Sequence, residues 1–185
     1  MNKLIAIVGM AGSGKSVATD YLLDKGFNKV YFGGAIIDKL KEDGLEVTPV
    51  NEKKYREDVR KKYGMAAVAI LLEDKIRASY EEKDTVLDGL YSWDEYVYLK
   101  EKFKNLKLVC VCCDKDKRYE RISTREVRPF KGEEIVVRDV SEIENLAKGG
   151  PIAYADYYIL NNGTVDEYIE RLLEILKDIE RHEGE

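Results

Sequence analysis

Long apolar runs are missing from this chain. In 185 residues no stretch approaches the roughly 20 apolar residues that a membrane-spanning helix needs. The amino-terminal residues carry one lysine and then a six-residue run at 4–9, too short for a secretory leader. Those residues read as structure rather than address, and the cytoplasm is the expected location. A basic excess is missing too. The net charge is -5 with 36 % charged residues, whereas a protein that tracks nucleic-acid backbones carries surplus lysine and arginine. Neither a nucleic acid nor a membrane is expected as a partner, and a monomer or weak oligomer is expected. Cysteine is sparse: the three thiols, Cys110, Cys112 and Cys113, fall in the apolar, β-prone run at 106–113. A free cysteine there behaves as a small hydrophobe, and strand neighbours cannot easily bridge. The single histidine, His182, lies in a polar tail, so no second Cys/His cluster completes a metal site. What is present is 44 % hydrophobic residues, enough for one well-buried core and one domain over 1–185.

Short apolar runs at 3–8, 30–32, 85–87, 106–113 and 157–160 read as strands. Between them, helical periodicity covers 15–25, 35–42, 51–63, 65–79, 93–103, 114–123, 141–146 and 164–179, with Asn51 as a cap and Gly26, Gly44 and Gly64 as stops. The stretch 124–150 is the least periodic and reads as a mobile segment. Alternating strands and helices predict an α/β fold with a parallel sheet covered on both faces. Ligands in such folds sit at the carboxyl ends of the strands. Gly9, Gly33, Asp88, Asp114 and Asn161 all fall there.

The first strand runs into Gly9-Met10-Ala11-Gly12-Ser13-Gly14-Lys15-Ser16, which fits G-x-x-x-x-G-K-S at every position. Small residues at Gly9, Ala11, Gly12, Ser13 and Gly14 let backbone N–H groups turn inward, and the following helix N-terminus, through Val17, adds its own donors. Lys15 brings a point charge to the β/γ-phosphates, and Ser16 offers a hydroxyl to Mg²⁺. The expected ligand is a nucleoside triphosphate, ATP with Mg²⁺.

With this loop, with Val86-Leu87-Asp88-Gly89, with the arginine-rich stretch 118–128 and with 155–163, ending in Asn161-Asn162-Gly163, the chain resembles the P-loop small-molecule kinases. It is similar to nucleoside monophosphate kinases and, in its last segment, to dephospho-coenzyme A kinase. The resemblance implies the P-loop NTPase fold, a five-stranded parallel sheet of order 2-3-1-4-5, with a substrate-binding arm at 33–80 and a lid at 115–150. It implies phosphoryl transfer from ATP to a small nucleotide- or coenzyme-like acceptor. Asp88 would hold the magnesium water shell, although Asp-Gly is also a common turn. Arg118, Arg121 and Arg125 share a helical face ahead of Arg128, and Arg121 and Arg125 are the choices for neutralising charge on the transferred group; a solvated face is the alternative. Arg138 is a further candidate. Arg56 and Arg60, one turn apart amid lysines and acids, would meet an acidic group of the acceptor. Asn162, Gly163 and Thr164 would line the adenine end. Two departures leave the acceptor open. Leu90-Tyr91-Ser92 stands where monophosphate kinases carry an arginine, and Gly33-Gly34 stands where an aspartate is usual, the nearest carboxylate being Asp38. A regulatory P-loop NTPase that signals through its lid is the alternative reading.

Overall fold

The computed structural model describes residues 2–125 and 132–183. In chain order the elements are β1 (Leu4–Val8), α1 (Lys15–Asp24), β2 (Asn28–Tyr31), α2 (Phe32–Glu42), α3 (Pro49–Tyr63), α4 (Ala67–Glu82), β3 (Thr85–Asp88), α5 (Trp93–Lys102), β4 (Lys107–Cys112), α6 (Lys115–Thr124), α7 (Glu133–Glu144), α8 (Gly149–Ala153), β5 (Tyr157–Leu160) and α9 (Val165–Glu183). The five strands form one sheet of order β2-β3-β1-β4-β5, every pairing parallel. The expected order of the sheet is therefore the observed one. Among the described residues no helix is long and apolar enough to cross a membrane.

β1 is buried along its whole length, Leu-Ile-Ala-Ile-Val, because a central strand of a parallel sheet is covered on both faces. Leu4, Ala6 and Val8 pack with Ile36 of α2, Leu72 of α4 and Leu99 of α5. Ile5 and Ile7 point the other way, onto Leu22 of α1 and Leu172 and Ile175 of α9. Each such fully buried leucine, isoleucine or valine stabilises by roughly 1.5–3 kcal/mol. The chain turns from one side of the sheet to the other about β1, so a crevice opens at the carboxyl end of this strand. Cys110 is buried in β4 and all three thiols are free, as the β-prone run implied.

Three local expectations are corrected. The cap of α3 is Thr48, whose hydroxyl accepts from the Asn51 N–H at 3.2 Å; Pro49 takes the first helical position, where its missing N–H costs nothing. Gly33-Gly34 is not a loop after β2 but the first turn of α2, which starts at Phe32. Tyr31 folds its ring back over Gly33, where a Cβ would meet ring carbons at 2.5–2.7 Å. The third correction is the largest. A helix was expected only at 141–146, but α7 starts at Glu133. Its buried residues are Ile135, Asp139 and Glu142, while Val136, Val137, Val140 and Ile143 are exposed. The inward face is charged and the outward face apolar, so hydrophobic periodicity misreads it. Arg128 and Pro129 lie outside the described residues.

Candidate functional site

The phosphate loop occupies the carboxyl end of β1. Gly9, Gly12 and Gly14 all have positive φ, at 144°, 76° and 95°. Gly14 is the starting cap of α1, and a Cβ there would also strike the Asn161 amide, so no other residue serves. The loop's carbonyls are tied away from its interior. Asn161 Nδ2 donates to Ser13 O at 2.8 Å, Arg118 Nη1 to Ala11 O at 2.8 Å, and Tyr168 Oη to Gly14 O at 3.3 Å. Lys15 Nζ bridges Gly9 O and Met10 O at 2.8 and 3.0 Å. The first two N–H groups of α1, those of Lys15 and Ser16, have no partner within the helix, as at any helix start. Ser13 is fully buried, and its hydroxyl has no partner among the described residues. With most of its carbonyls tied and a helix starting behind it, the loop fits an anion, although the Ser13 and Val17 N–H groups bond Met10 O and Gly14 O at 3.2 and 3.1 Å.

Burial brings the Lys15 pKa down to about 7, with the positive charge of Lys148 the next cause. Glu142, Asp88 and Arg138 also act on this ammonium. Asp88 ends β3 and pairs with Lys29 at 2.8 Å. With exposed Ser16 it offers hard oxygen donors, of the kind that would suit Mg²⁺. Among the described residues no group of three His, Cys, Asp or Glu side chains forms a metal cage.

Beside the loop lies a cavity of about 340 Å³ between α2, α3 and α7. Arg56, Arg60 and Arg138 bring three guanidiniums to it; Glu95 and Glu142 bring carboxylates, and Ile36 and Val68 apolar wall. Glu142 and Arg138 are the groups that also act on Lys15, so cavity and loop adjoin. Arg60 Nε is buried with no hydrogen-bond partner among the described residues, and burial lowers the pKa of this guanidinium. Glu95 is 1 % exposed, and burial raises its pKa although it accepts from the Tyr91 and Ser92 N–H groups at 2.8 and 3.0 Å. A larger cavity of about 520 Å³ runs along α9 between Tyr157 and Arg181, away from the loop.

The remaining candidate residues divide. Arg118 is buried against Asp139 of α7, at 3.1 and 2.5 Å, and works as a brace. Arg121 donates to Asn161 O at 3.1 Å and Cys113 Sγ at 3.3 Å, which ties α6 to the end of β5. Arg125 caps α6 with extended backbone. Asn162 accepts from Asp114 N at 3.0 Å, and Thr164 with Glu167 closes the start of α9, Gly163 leaving room for the Glu167 carboxylate. Asp38 is on the outer side of α2, paired with Lys75 at 3.4 Å, and does not line the cavity. Sequence reasoning missed Lys148, Glu142, Asp139, Tyr91 and Glu95. The one available signal was the apolar stripe 136, 137, 140, 143, which leaves Arg138, Asp139 and Glu142 for the opposite, inward face.

A parallel sheet of this order with this loop after its first strand is the P-loop NTPase fold, of the kind found in small-molecule kinases. The chain belongs to the AAA domain family, whose model matches residues 5–145, and to the UPF0200 proteins. A UPF0200 protein of Thermococcus kodakarensis is 32 % identical over 181 residues, covering 95 % of this chain and 97 % of the relative. One of Sulfurisphaera tokodaii is 31 % identical over 179 residues, covering 96 % and 97 %. Among solved structures, a shikimate kinase from Aquifex aeolicus superposes with a TM-score of 0.58 at 18 % identity, covering 95 % of this chain and 96 % of that one. A gluconokinase from Sinorhizobium meliloti gives 0.58 at 15 % identity, covering 96 % and 93 %. At such identities the likeness is one of fold.

Proposed function

We propose that this protein is an ATP-dependent phosphotransferase: it binds ATP with Mg²⁺ at Gly9 to Ser16 and passes the γ-phosphoryl group to a small anionic acceptor in the adjoining cavity. The observation that carries this reading is the cavity itself, where three arginines converge beside a phosphate loop. Its volume of about 340 Å³ is at the small end for ligand sites. Arg56 and Arg60 hold the acceptor's acid group, the Arg60 Nε supplying a donor that has no partner among the described residues. Lys15 neutralises the β/γ-phosphates, and Arg121, Arg125 and Arg138 turn from their present contacts to charge that develops on the transferred group. Ser16 and Asp88 would hold Mg²⁺, which would supply positive charge against the phosphates, with Asp88 giving up Lys29. Asn162, Gly163 and Thr164 flank the adenine end. In this reading 33–80 is the acceptor arm and 115–150 the lid.

The acceptor is coenzyme-like, as in dephospho-coenzyme A kinase, or nucleotide-like, as in the monophosphate kinases; the small hydroxy acids named for the shikimate kinase and gluconokinase fit the size of the cavity. One observation favours a regulatory NTPase instead: the Tyr31 ring covers Gly33, at the place where the resemblance to monophosphate and dephospho-coenzyme A kinases leads one to expect an aspartate. The test is an acceptor screen with ATP and Mg²⁺, covering dephospho-coenzyme A, nucleoside monophosphates and hydroxy acids and read by mass spectrometry. A phosphorylated product from one of these classes is expected. ATP hydrolysis at one slow rate with every compound, and no product, would replace the kinase by the NTPase.

A further inference from the structure

A buried ion pair sits where the phosphate loop and the cavity meet. Behind α7 the chain reverses at Ala147, whose φ of 48° lies in the left-handed region that alanine rarely adopts. That turn brings the Lys148 N–H to Glu142 O at 3.2 Å and sends the Lys148 side chain inward. Lys148 is 2 % exposed. Its ammonium lies 2.6 Å from Glu142 Oε2 and 4.8 Å from the centre of the Tyr91 ring. Arg138 Nε holds the other carboxylate oxygen, Oε1, at 3.2 Å. Burial works to raise the Glu142 pKa, yet Lys148, Arg138 and Lys15 together hold it below the usual carboxylate range. Lys148 and Glu142 are also the two charged groups that act most strongly on Lys15. One carboxylate is thus held by two cations from 138–148 and lies within electrostatic reach of the phosphate-loop lysine.

Burying a lysine on a strained turn costs free energy, and a purely structural role is served as well by apolar side chains of the same volume. The arrangement makes sense if the carboxylate stands in for another anion. We infer that Lys148 is a phosphate-binding residue of the nucleotide site, and that the Glu142 carboxylate occupies the phosphate's place among Lys15, Lys148 and Arg138 until a triphosphate displaces it. This rests on the nucleotide-binding reading above. No bond is made or broken in the exchange; Glu142 leaves its cations, and a phosphate oxygen accepts the Lys148 hydrogen bond.

The exchange has a built-in reporter. Gly150, two residues beyond Lys148, abuts Trp93, the chain's one tryptophan; a Cβ on Gly150 would lie 2.9 Å from Trp93 Cβ. The experiment measures binding of ATP·Mg²⁺, tripolyphosphate·Mg²⁺ and adenosine by calorimetry to the wild type, Lys148→Met and Glu142→Gln. Lys148→Met should weaken both phosphate ligands by roughly ten- to a hundredfold, the worth of a charge-assisted hydrogen bond, and leave adenosine unchanged. Glu142→Gln should tighten both phosphate ligands several-fold, again sparing adenosine. Unchanged phosphate affinity in both variants, or an equal loss for adenosine, overturns the inference and leaves a structural pair. Should either variant fail to fold, the wild type decides: Trp93 fluorescence should change on adding tripolyphosphate·Mg²⁺ and not on adding adenosine, and an unchanged signal with bound tripolyphosphate overturns the inference. A wild type that binds adenosine but neither phosphate ligand removes the nucleotide-site reading beneath it as well.

Discussion

Arg118 joins the fold to the site, and its removal should show as two separable losses. Its guanidinium makes two bonds to the Asp139 carboxylate, at 3.1 and 2.5 Å, and one to Ala11 O in the phosphate loop at 2.8 Å. Arg118 and Asp139 are 7 % and 6 % exposed. Arg118→Met keeps the stem's volume but leaves a buried carboxylate without its cation, which costs about 3–5 kcal/mol. For a chain of this size each kcal/mol lowers the melting temperature by about 2–4 °C, so a drop of about 10 °C is expected by differential scanning calorimetry. Adding Asp139→Leu removes the orphaned charge and should recover most of that loss. The bond to Ala11 O is not restored in the double variant. ATP affinity should therefore stay several-fold below wild type although the protein is again stable. Two results would refute the reasoning: a single variant within about 1 kcal/mol of wild type, the level of an exposed pair, or a double variant as unstable as the single one.

Four further outcomes are expected. Lys15 is held near a pKa of about 7, so the unfolded chain binds one more proton between that pH and 10.5; its contribution to the stability of the free protein rises as pH climbs through that window. ATP restores its charge, so at pH 8.5 binding should take up nearly one proton, seen as a calorimetric enthalpy that depends on the buffer's ionisation heat, and Lys15→Arg should abolish the uptake because a guanidinium stays charged. Arg60→Met should raise the acceptor KM by about ten- to a hundredfold and leave the ATP dissociation constant unchanged, as steady-state kinetics with the identified acceptor will read. Gly150→Ala forces a Cβ to within 2.9 Å of Trp93 Cβ and Cε3 and should destabilise by about 1–3 kcal/mol in thermal melts, since Cβ cannot swing aside as the far end of a side chain can.

The sequence alone determined the scaffold and the phosphate loop, and for local reasons. β1 is an unbroken apolar run because both its faces are covered, and a run of that kind is legible without its neighbours. The loop is legible because its positive φ angles demand glycine at fixed spacing. The stretch 157–164 could be placed at a strand end for the same reason, since Asn and Gly punctuate it. α7 was not legible, because its inward face carries Asp139 and Glu142 while its valines face out. Periodicity assumes that the buried face is apolar, and that assumption fails where a helix lines a polar site. Nor could sequence tell which arginine is a brace and which is unspent. Arg118 belongs to Asp139 across 21 residues and to Ala11 across 107, whereas the buried Arg60 Nε has no partner among the described residues. Those partners are chosen by the packing of α6, α7 and the loop around one crevice. Only the tertiary structure decides them, because a guanidinium's role depends on the charge that folding sets beside it.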